Sequence, residues 1–193
     1  MTLYPNLLPL AEELTTRSVH PERLAPLTRL AALIVAESSV QQTVPLTFIC
    51  THNSRRSHLC QVLAATAAAY YGVEGLLCCS GGTEATACNE RTVAAFQRAG
   101  FEVTNVSGGT NPIYEITCST GTPPIRAWSK VYNEDGNPDS GYIAIMTCTH
   151  ADQHCPLAHG SSQRFSLPYR DPKEADDTPD EAATYDARLR EIG

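Results

Sequence analysis

The stretch from Val44 to Gly72 restricts the possible folds more than any other part of the chain. Val44-Pro45-Leu46-Thr47-Phe48-Ile49-Cys50 is a short β-rich run of the kind that forms a buried strand, and it ends at a cysteine. A polar stretch, Thr51 to Arg56, follows. The segment Ser57 to Tyr71 is then rich in helix formers, and Gly72 closes it. The strand-loop-helix unit is followed by more of the same. A second strand is expected at Gly75 to Ser80, a second helix at Asn89 to Ala99 closed by Gly100, and a third strand at Gly141 to Thr147. Strands alternating with helices imply a mainly parallel sheet with right-handed crossovers. The fold class expected is α/β, a flavodoxin-like three-layer sandwich with a parallel sheet of about four strands.

With 193 residues the chain suits one sizeable domain. Residues 1–43 read as a helical extension to an α/β domain over 44–193. From Pro21, at a first-turn position, Leu24, Leu27, Leu30, Ala31 and Ile34 recur at three-to-four spacing and mark one apolar helical face. That face either packs on the main domain or serves as an interaction or dimerisation arm. The stretch Ser107 to Asp139 is crowded with Gly, Pro, Asn and Ser, yet it contains the strand-like Ala127 to Tyr132, so a long excursion or an edge hairpin is expected. The tail from Asp171 is acidic and ends in an expected helix, Pro179 to Ile192.

The net charge of -7 argues against a general affinity for nucleic acid, whose phosphates are held by clustered Lys and Arg. An anionic small molecule then needs a local positive pocket. No apolar run approaches the roughly 20 residues that span a bilayer. Met1 to Leu10 lacks the charged start and apolar block of an export signal, so a soluble, cytoplasmic protein without a membrane partner is expected. Eight cysteines in such a chain do not read as a disulfide framework, because the cytosol keeps thiols reduced; they point to packing, metal binding or redox catalysis.

A cysteine at the carboxyl end of a parallel strand, before a loop that opens a helix, sits where open α/β sheets bind ligands. The amides of the loop Thr51-His52-Asn53-Ser54-Arg55-Arg56-Ser57 can form a nest for an oxyanion, aided by the helix dipole. The same field, with Arg55 and Arg56, favours a thiolate at Cys50 and makes it a nucleophile. Arg56 can curl back and bind two oxygens of a tetrahedral anion, and Ser57 can hydrogen-bond the sulfur. As a bare spacing, Cys-x5-Arg also fits a buried strand-end thiol beside surface arginines. The run Cys50-Thr51-x-Asn53-Ser54-x-Arg56-Ser57 resembles the phosphate-binding loop of low-molecular-weight protein tyrosine phosphatases, and more closely that of the arsenate reductases sharing their fold. It departs from that pattern at His52, where glycine is usual, and at Arg55, where the reductases commonly have cysteine.

A second constellation, Cys148-Thr149-His150-Ala151-Asp152-Gln153-His154-Cys155-Pro156, begins at the end of the third expected strand. If that strand neighbours the first, Cys148 arrives at the same sheet edge as Cys50. Sixteen residues beyond Cys155 comes Asp171-Pro172, whose carboxylic acid can protonate a leaving oxygen; Asp176 and Asp177 are next in line. This arrangement resembles the redox segment Cys-x-x-Ala-Asp-x-x-Cys-Pro of thioredoxin-coupled arsenate reductases, with its Asp-Pro downstream. Phosphatases of the fold need no such cysteine pair and commonly carry an aromatic after Asp-Pro, where Lys173 stands here. Two other readings stay open: Cys148, His150, His154 and Cys155 as tetrahedral zinc ligands, or Cys148 as core and Cys155 as an idle surface thiol. Cys60, Cys78, Cys79, Cys88 and Cys118 match no motif and are read as packing residues. His20, His58 and His159 are read as surface or supporting residues.

The resemblance covers Leu46 to about Thr178. It implies the low-molecular-weight phosphotyrosine phosphatase fold and an arsenate reductase without metal or organic cofactor. In the implied cycle Cys50 attacks arsenate held by Arg56 and the loop amides, and Asp171 protonates the departing oxygen. Cys148 then attacks Cys50, releasing arsenite, and Cys155 attacks Cys148, moving the disulfide to an exposed loop where thioredoxin reduces it. The alternative is a phosphatase hydrolysing phosphomonoesters through Cys50, Arg56 and Asp171 alone. From another class, a thiol redox sensor or an oxyanion-binding module also fits.

Overall fold

The computed structural model describes residues 2–155 and 157–193; Pro156, the last residue of the second constellation, lies outside the described residues. Strand β1, Val44–Cys50, is flanked by β2, Leu76–Gly82, and β6, Tyr142–Met146, with β7, Ser161–Ser166, at the edge. All pair in parallel, in the order β2-β1-β6-β7. The strand order reverses beside β1, between it and β6, which is where a doubly wound sheet opens a crevice for a ligand. Strand β7 escaped the sequence reading because Ser161-Ser162-Gln163-Arg164-Phe165-Ser166 is a polar edge strand with one apolar residue and no β-branched ones.

Helix α3, Arg56–Tyr71, ends at Gly72 with φ 67°. Helix α4, Glu90–Ala99, starts on the Asn89 side chain, which accepts from the Arg91 N–H, and ends at Gly100 with φ 101°. Both helices lie close to where the sequence puts them. Helix α6, Glu181–Ile192, begins slightly later than expected. The excursion is an antiparallel sheet of its own, with β3 Glu102–Asn105, β4 Tyr114–Thr117 and β5 Ile125–Ala127. Of the expected strand Ala127 to Tyr132, only Ala127 belongs to β5; Val131 makes a single bridge to Gly82, and the residues between them support the Cys50 loop.

The β1 and β6 side chains divide by parity. Val44, Leu46, Phe48, Ile143 and Ile145 pack with Leu30 of α2, Pro21–Ser38, and with Cys60 of α3. Ile49, Tyr142, Ala144 and Met146 share the other face with Cys50, Cys148, Ala151 and Cys155. Helix α2 touches the sheet through Leu27, Leu30, Leu33 and Ile34. Leu24, 55% exposed, and Ala31 fall beside that stripe, so the apolar face is rotated from the expected one. Leu3, Leu7 and Leu10, the last on α1 (Leu8–Thr16), are buried with Leu59 and Val62 of α3, Phe96 of α4, and Tyr185 and Leu189 of α6. Among the described residues no helix is long and apolar enough to cross a membrane.

Candidate active site

The loop after β1 is held by its carbonyls. Cys50 O accepts from Thr83 N, Thr51 O from Glu84 N, Ser54 O from Asn89 N and Arg55 O from Leu59 N. His52 O accepts from the Ser129 and Thr86 hydroxyls. A trans peptide points its N–H opposite to the preceding C=O. Anchoring these five carbonyls outward therefore turns the N–H groups of Thr51, His52, Asn53, Arg55 and Arg56 to the inner side. Among the described residues none of these N–H groups has a protein acceptor. Inward N–H groups on neighbouring residues, ahead of a 16-residue helix, are an arrangement able to receive an anion.

Asn53 sets the curvature. It is fully buried, has φ 44°, a conformation asparagine tolerates better than most residues, and its Oδ1 accepts from the Lys130 N–H at 3.0 Å. That contact fixes the amide orientation, so Nδ2 is the atom donating to Ser57 Oγ at 2.9 Å. Ser57 Oγ, already an acceptor, is left free to donate to Cys50 Sγ at 3.1 Å. Neighbouring glycines make room: a Cβ on Gly82 would stand 2.2 Å from Glu84 O and 2.7 Å from Thr51 O.

The two arginines separate. Arg56, on the first turn of α3, donates through Nη1 to Tyr169 O at 3.1 Å and through Nη2 to Asp171 Oδ2 at 2.5 Å. Asp171 Oδ1 meanwhile accepts from the Lys173 N–H and caps a short 3-10 turn, Pro172–Ala175. Arg55, expected to add to the field at Cys50, has its guanidinium engaged by Tyr185 Oη at 2.6 Å and Asp176 Oδ2 at 2.9 Å. Asp176 also accepts from Tyr185 Oη, so this clamp ties the loop to α6 and occupies the carboxylate next in line after Asp171. Asp177 pairs with Arg91. The His52 imidazole is half exposed, 3.7 Å from Glu84.

Cys148 lies two residues past the end of β6, and Thr147 N between them donates to Ile49 O at 2.7 Å, which brings Cys148 alongside the start of the Cys50 loop. Cys148 Sγ lies 3.5 Å from Thr51 Oγ1 and accepts from Ala151 N at 3.3 Å. Cys155, at the far end of the six-residue helix α5, Thr149–His154, packs in the same cluster as Cys50 and Cys148. It is 9% exposed, so the expected exposed position for this thiol does not hold; it is buried within that apolar cluster. All eight cysteines are free thiols. The four candidate zinc ligands do not converge. The His150 and His154 rings are stacked at 4.1 Å, His154 Nδ1 donates to His150 O, and among the described residues no group of three or more His, Cys, Asp or Glu side chains is placed to hold an ion.

The supports of the loop carry no local sequence signal. Asn111 and Ser129 exchange hydrogen bonds, and Ser129 and Lys130 reach the loop from 77 residues away, which no local spacing signals. Behind the loop His58, Ser80 and Gln61 form a buried chain of hydrogen bonds. Burial, with the nearby Lys130 charge, lowers the His58 pKa to about 3. Burial also lowers Lys130 to about 8, with its ammonium 3.8 Å from the centre of the Trp128 ring.

No family model and no curated protein matches the chain. Solved structures do. A low-molecular-weight protein tyrosine phosphatase from T. tengcongensis superposes with a TM-score of 0.52 at 14% identity, over 78% of this chain and 92% of that one. The YwlE mutant from Bacillus subtilis gives 0.49 at 14% identity, over 78% and 91%. The Corynebacterium glutamicum thioredoxin-dependent arsenate reductase gives 0.42 at 22% identity, over 98% and 81%. The first of these establishes the shared fold, and the other two scores are too low to add to it.

Proposed function

We propose that this chain, which has the fold of a low-molecular-weight protein tyrosine phosphatase, is an arsenate reductase whose electrons come from its own thiols. The observation that carries the proposal is the burial of Cys50, Cys148 and Cys155 in one cluster at the carboxyl edge of β1 and β6, beside a loop whose inward amides have no protein acceptor among the described residues. An oxyanion site alone needs one cysteine; a two-electron reduction needs a second thiol within reach of the first.

In this cycle the loop amides and Arg56 hold arsenate, whose negative oxygens match the inward N–H groups. Cys50 Sγ, facing the Ser57 hydroxyl, attacks arsenic and an oxygen leaves as water, taking a proton from Asp171. The Arg56–Asp171 contact brings the carboxyl to the anion's principal side-chain donor. Cys148 next attacks Cys50 Sγ. An S–S bond forms, the S–As bond breaks, and its electron pair leaves with arsenic as arsenite. Cys155 then displaces Cys50 from Cys148, and an external dithiol of the thioredoxin type reduces the resulting disulfide. Because Cys155 is buried in the thiol form, α5 has to open before that last exchange.

A second reading is favoured by the structural likeness to a phosphatase: Cys50, Arg56 and Asp171 suffice for hydrolysis of a phosphomonoester through a thiophosphate intermediate. One side-by-side assay decides between them. Arsenite release coupled to thioredoxin oxidation supports the reductase, and brisk aryl phosphate hydrolysis with no arsenite refutes it.

A further inference from the structure

Cys148 has to lose a proton before its sulfur can attack, and at 1% exposure it has no direct path to bulk water. The Thr51 hydroxyl supplies a path. Its Oγ1 lies 3.5 Å from Cys148 Sγ and 3.3 Å from Nδ1 of His150, so one side chain bridges a buried thiol and an exposed imidazole. A hydroxyl donates and accepts at once, which lets it pass a proton in one step.

We infer that His150 is the positioning residue that takes the Cys148 proton, acting through the Thr51 hydroxyl; the inference rests on the reductase reading. Before transfer the thiol donates to Thr51 Oγ1, and the Thr51 O–H donates to Nδ1 of a neutral His150 protonated at Nε2. Afterwards Nδ1–H donates to Oγ1 and the Thr51 O–H donates to the Cys148 thiolate. The Ala151 N–H donates to the same sulfur in both states. Cys148 Sγ then attacks Cys50 Sγ as described, and the proton on His150 passes to solvent.

The surroundings hold His150 in place. The His154 ring stacks on it at 19° from parallel, and His154 Nδ1–H donates to the His150 carbonyl. The remaining charged group on the helix, Asp152, is paired at 2.6 Å with Arg164 of β7, whose guanidinium also holds Asp152 O and Cys155 O. Among the described residues, the ionisable groups seen in contact with His150, directly or through Thr51, are His154 on its own helix and Cys148 across the Thr51 bridge.

The test compares His150 with His150→Asn, whose amide oxygen can still accept from Thr51 but cannot take its proton. In a Cys50→Ser background, the ultraviolet thiolate absorbance of Cys148 is isolated by subtracting the Cys50→Ser/Cys148→Ser protein and titrated from about pH 5 to about pH 10. With His150→Asn the onset of thiolate absorbance moves to higher pH than in the chain with His150, with about tenfold less thiolate at neutral pH. An unchanged titration overturns the inference, because a merely structural His150 is replaced by Asn without effect on it. In the otherwise unaltered chain supplied with arsenate, the Cys50–Cys148 disulfide forms about tenfold more slowly in His150→Asn, with the initial attack on arsenate unaffected. If the titration shifts but no chain makes arsenite, the reductase reading falls and the proton path stands. If arsenite is made normally while titration and disulfide rate ignore His150, the path alone is wrong.

Discussion

The molecule contains two sets of buried cysteines, and burial does not tell them apart. Cys60 and Cys88, in the core, are each 4% exposed; Cys50 and Cys148, at the sheet edge, are 4% and 1%. What differs is the hydrogen-bond donors around the sulfur. Cys50 faces the Ser57 hydroxyl, and Cys148 faces the Thr51 hydroxyl and the Ala151 N–H. In the core, burial pushes the Cys60 thiol far up, Cys78 and Cys88 to about 12, and Cys79 upward as well. A sulfur in that setting stays a thiol and serves as a small apolar side chain. In the proposed function the same element packs the interior in one place and carries chemistry in another; Cys118, whose sulfur lies 3.6 Å from the Thr122 hydroxyl, is a core thiol with a polar neighbour of its own.

Cys50→Ser tests the contrast at its strongest point: it is expected to abolish arsenite production and any aryl phosphate hydrolysis, and appreciable turnover would erase the distinction between the two sets. Asp171→Asn comes next. It should keep oxyanion binding, followed by the quenching of thiol labelling at Cys50, while slowing the first chemical step about 100-fold; an unchanged rate removes Asp171 from the mechanism.

On the core side, the expected effects concern stability. The folded-state pKa of His58, about 3, lies below its unfolded value of about 6.5, so the unfolded chain takes the proton first. The stabilisation is complete above about pH 6.5 and is lost as pH falls towards about 3, by up to about 1.4 kcal/mol per pH unit. Urea unfolding of His58→Gln at successive pH values should show a shallower acid slope than wild type, and equal slopes would mean that His58 is solvated. The smallest effect belongs to Cys88→Ser, which buries a hydroxyl and should cost about 1–3 kcal/mol of unfolding free energy while leaving turnover unchanged. Loss of activity there, in folded protein, would blur the two sets.

The strand-loop-helix unit was legible because its signals are local: β-rich Val44–Cys50, helix formers after it, and Gly72 and Gly100 at left-handed helix ends. The candidate site could be proposed as a set of residues but not as a geometry. Cys50, Arg56, Asp171 and Cys148 could be named from their motifs together with the family resemblance those motifs carry, and the parallel pairing of β1 with β6 brings the two cysteine segments together. Arg55 could not be separated from Arg56, because its partners Tyr185 and Asp176 lie more than a hundred residues away and look like ordinary tail residues. Strand β7 was hidden because its composition is that of a surface loop, and the Ser129–Lys130 support because its role comes from tertiary contacts inside a segment that reads as a strand.

The central claim is that three thiols act in series, and the stoichiometry of Cys155→Ser tests it most directly. Supplied with excess arsenate and reduced thioredoxin, this variant should release about one arsenite per chain and stop, with a Cys50–Cys148 disulfide identified by mass. Arsenite released over many thioredoxin-coupled cycles by Cys155→Ser would contradict the relay.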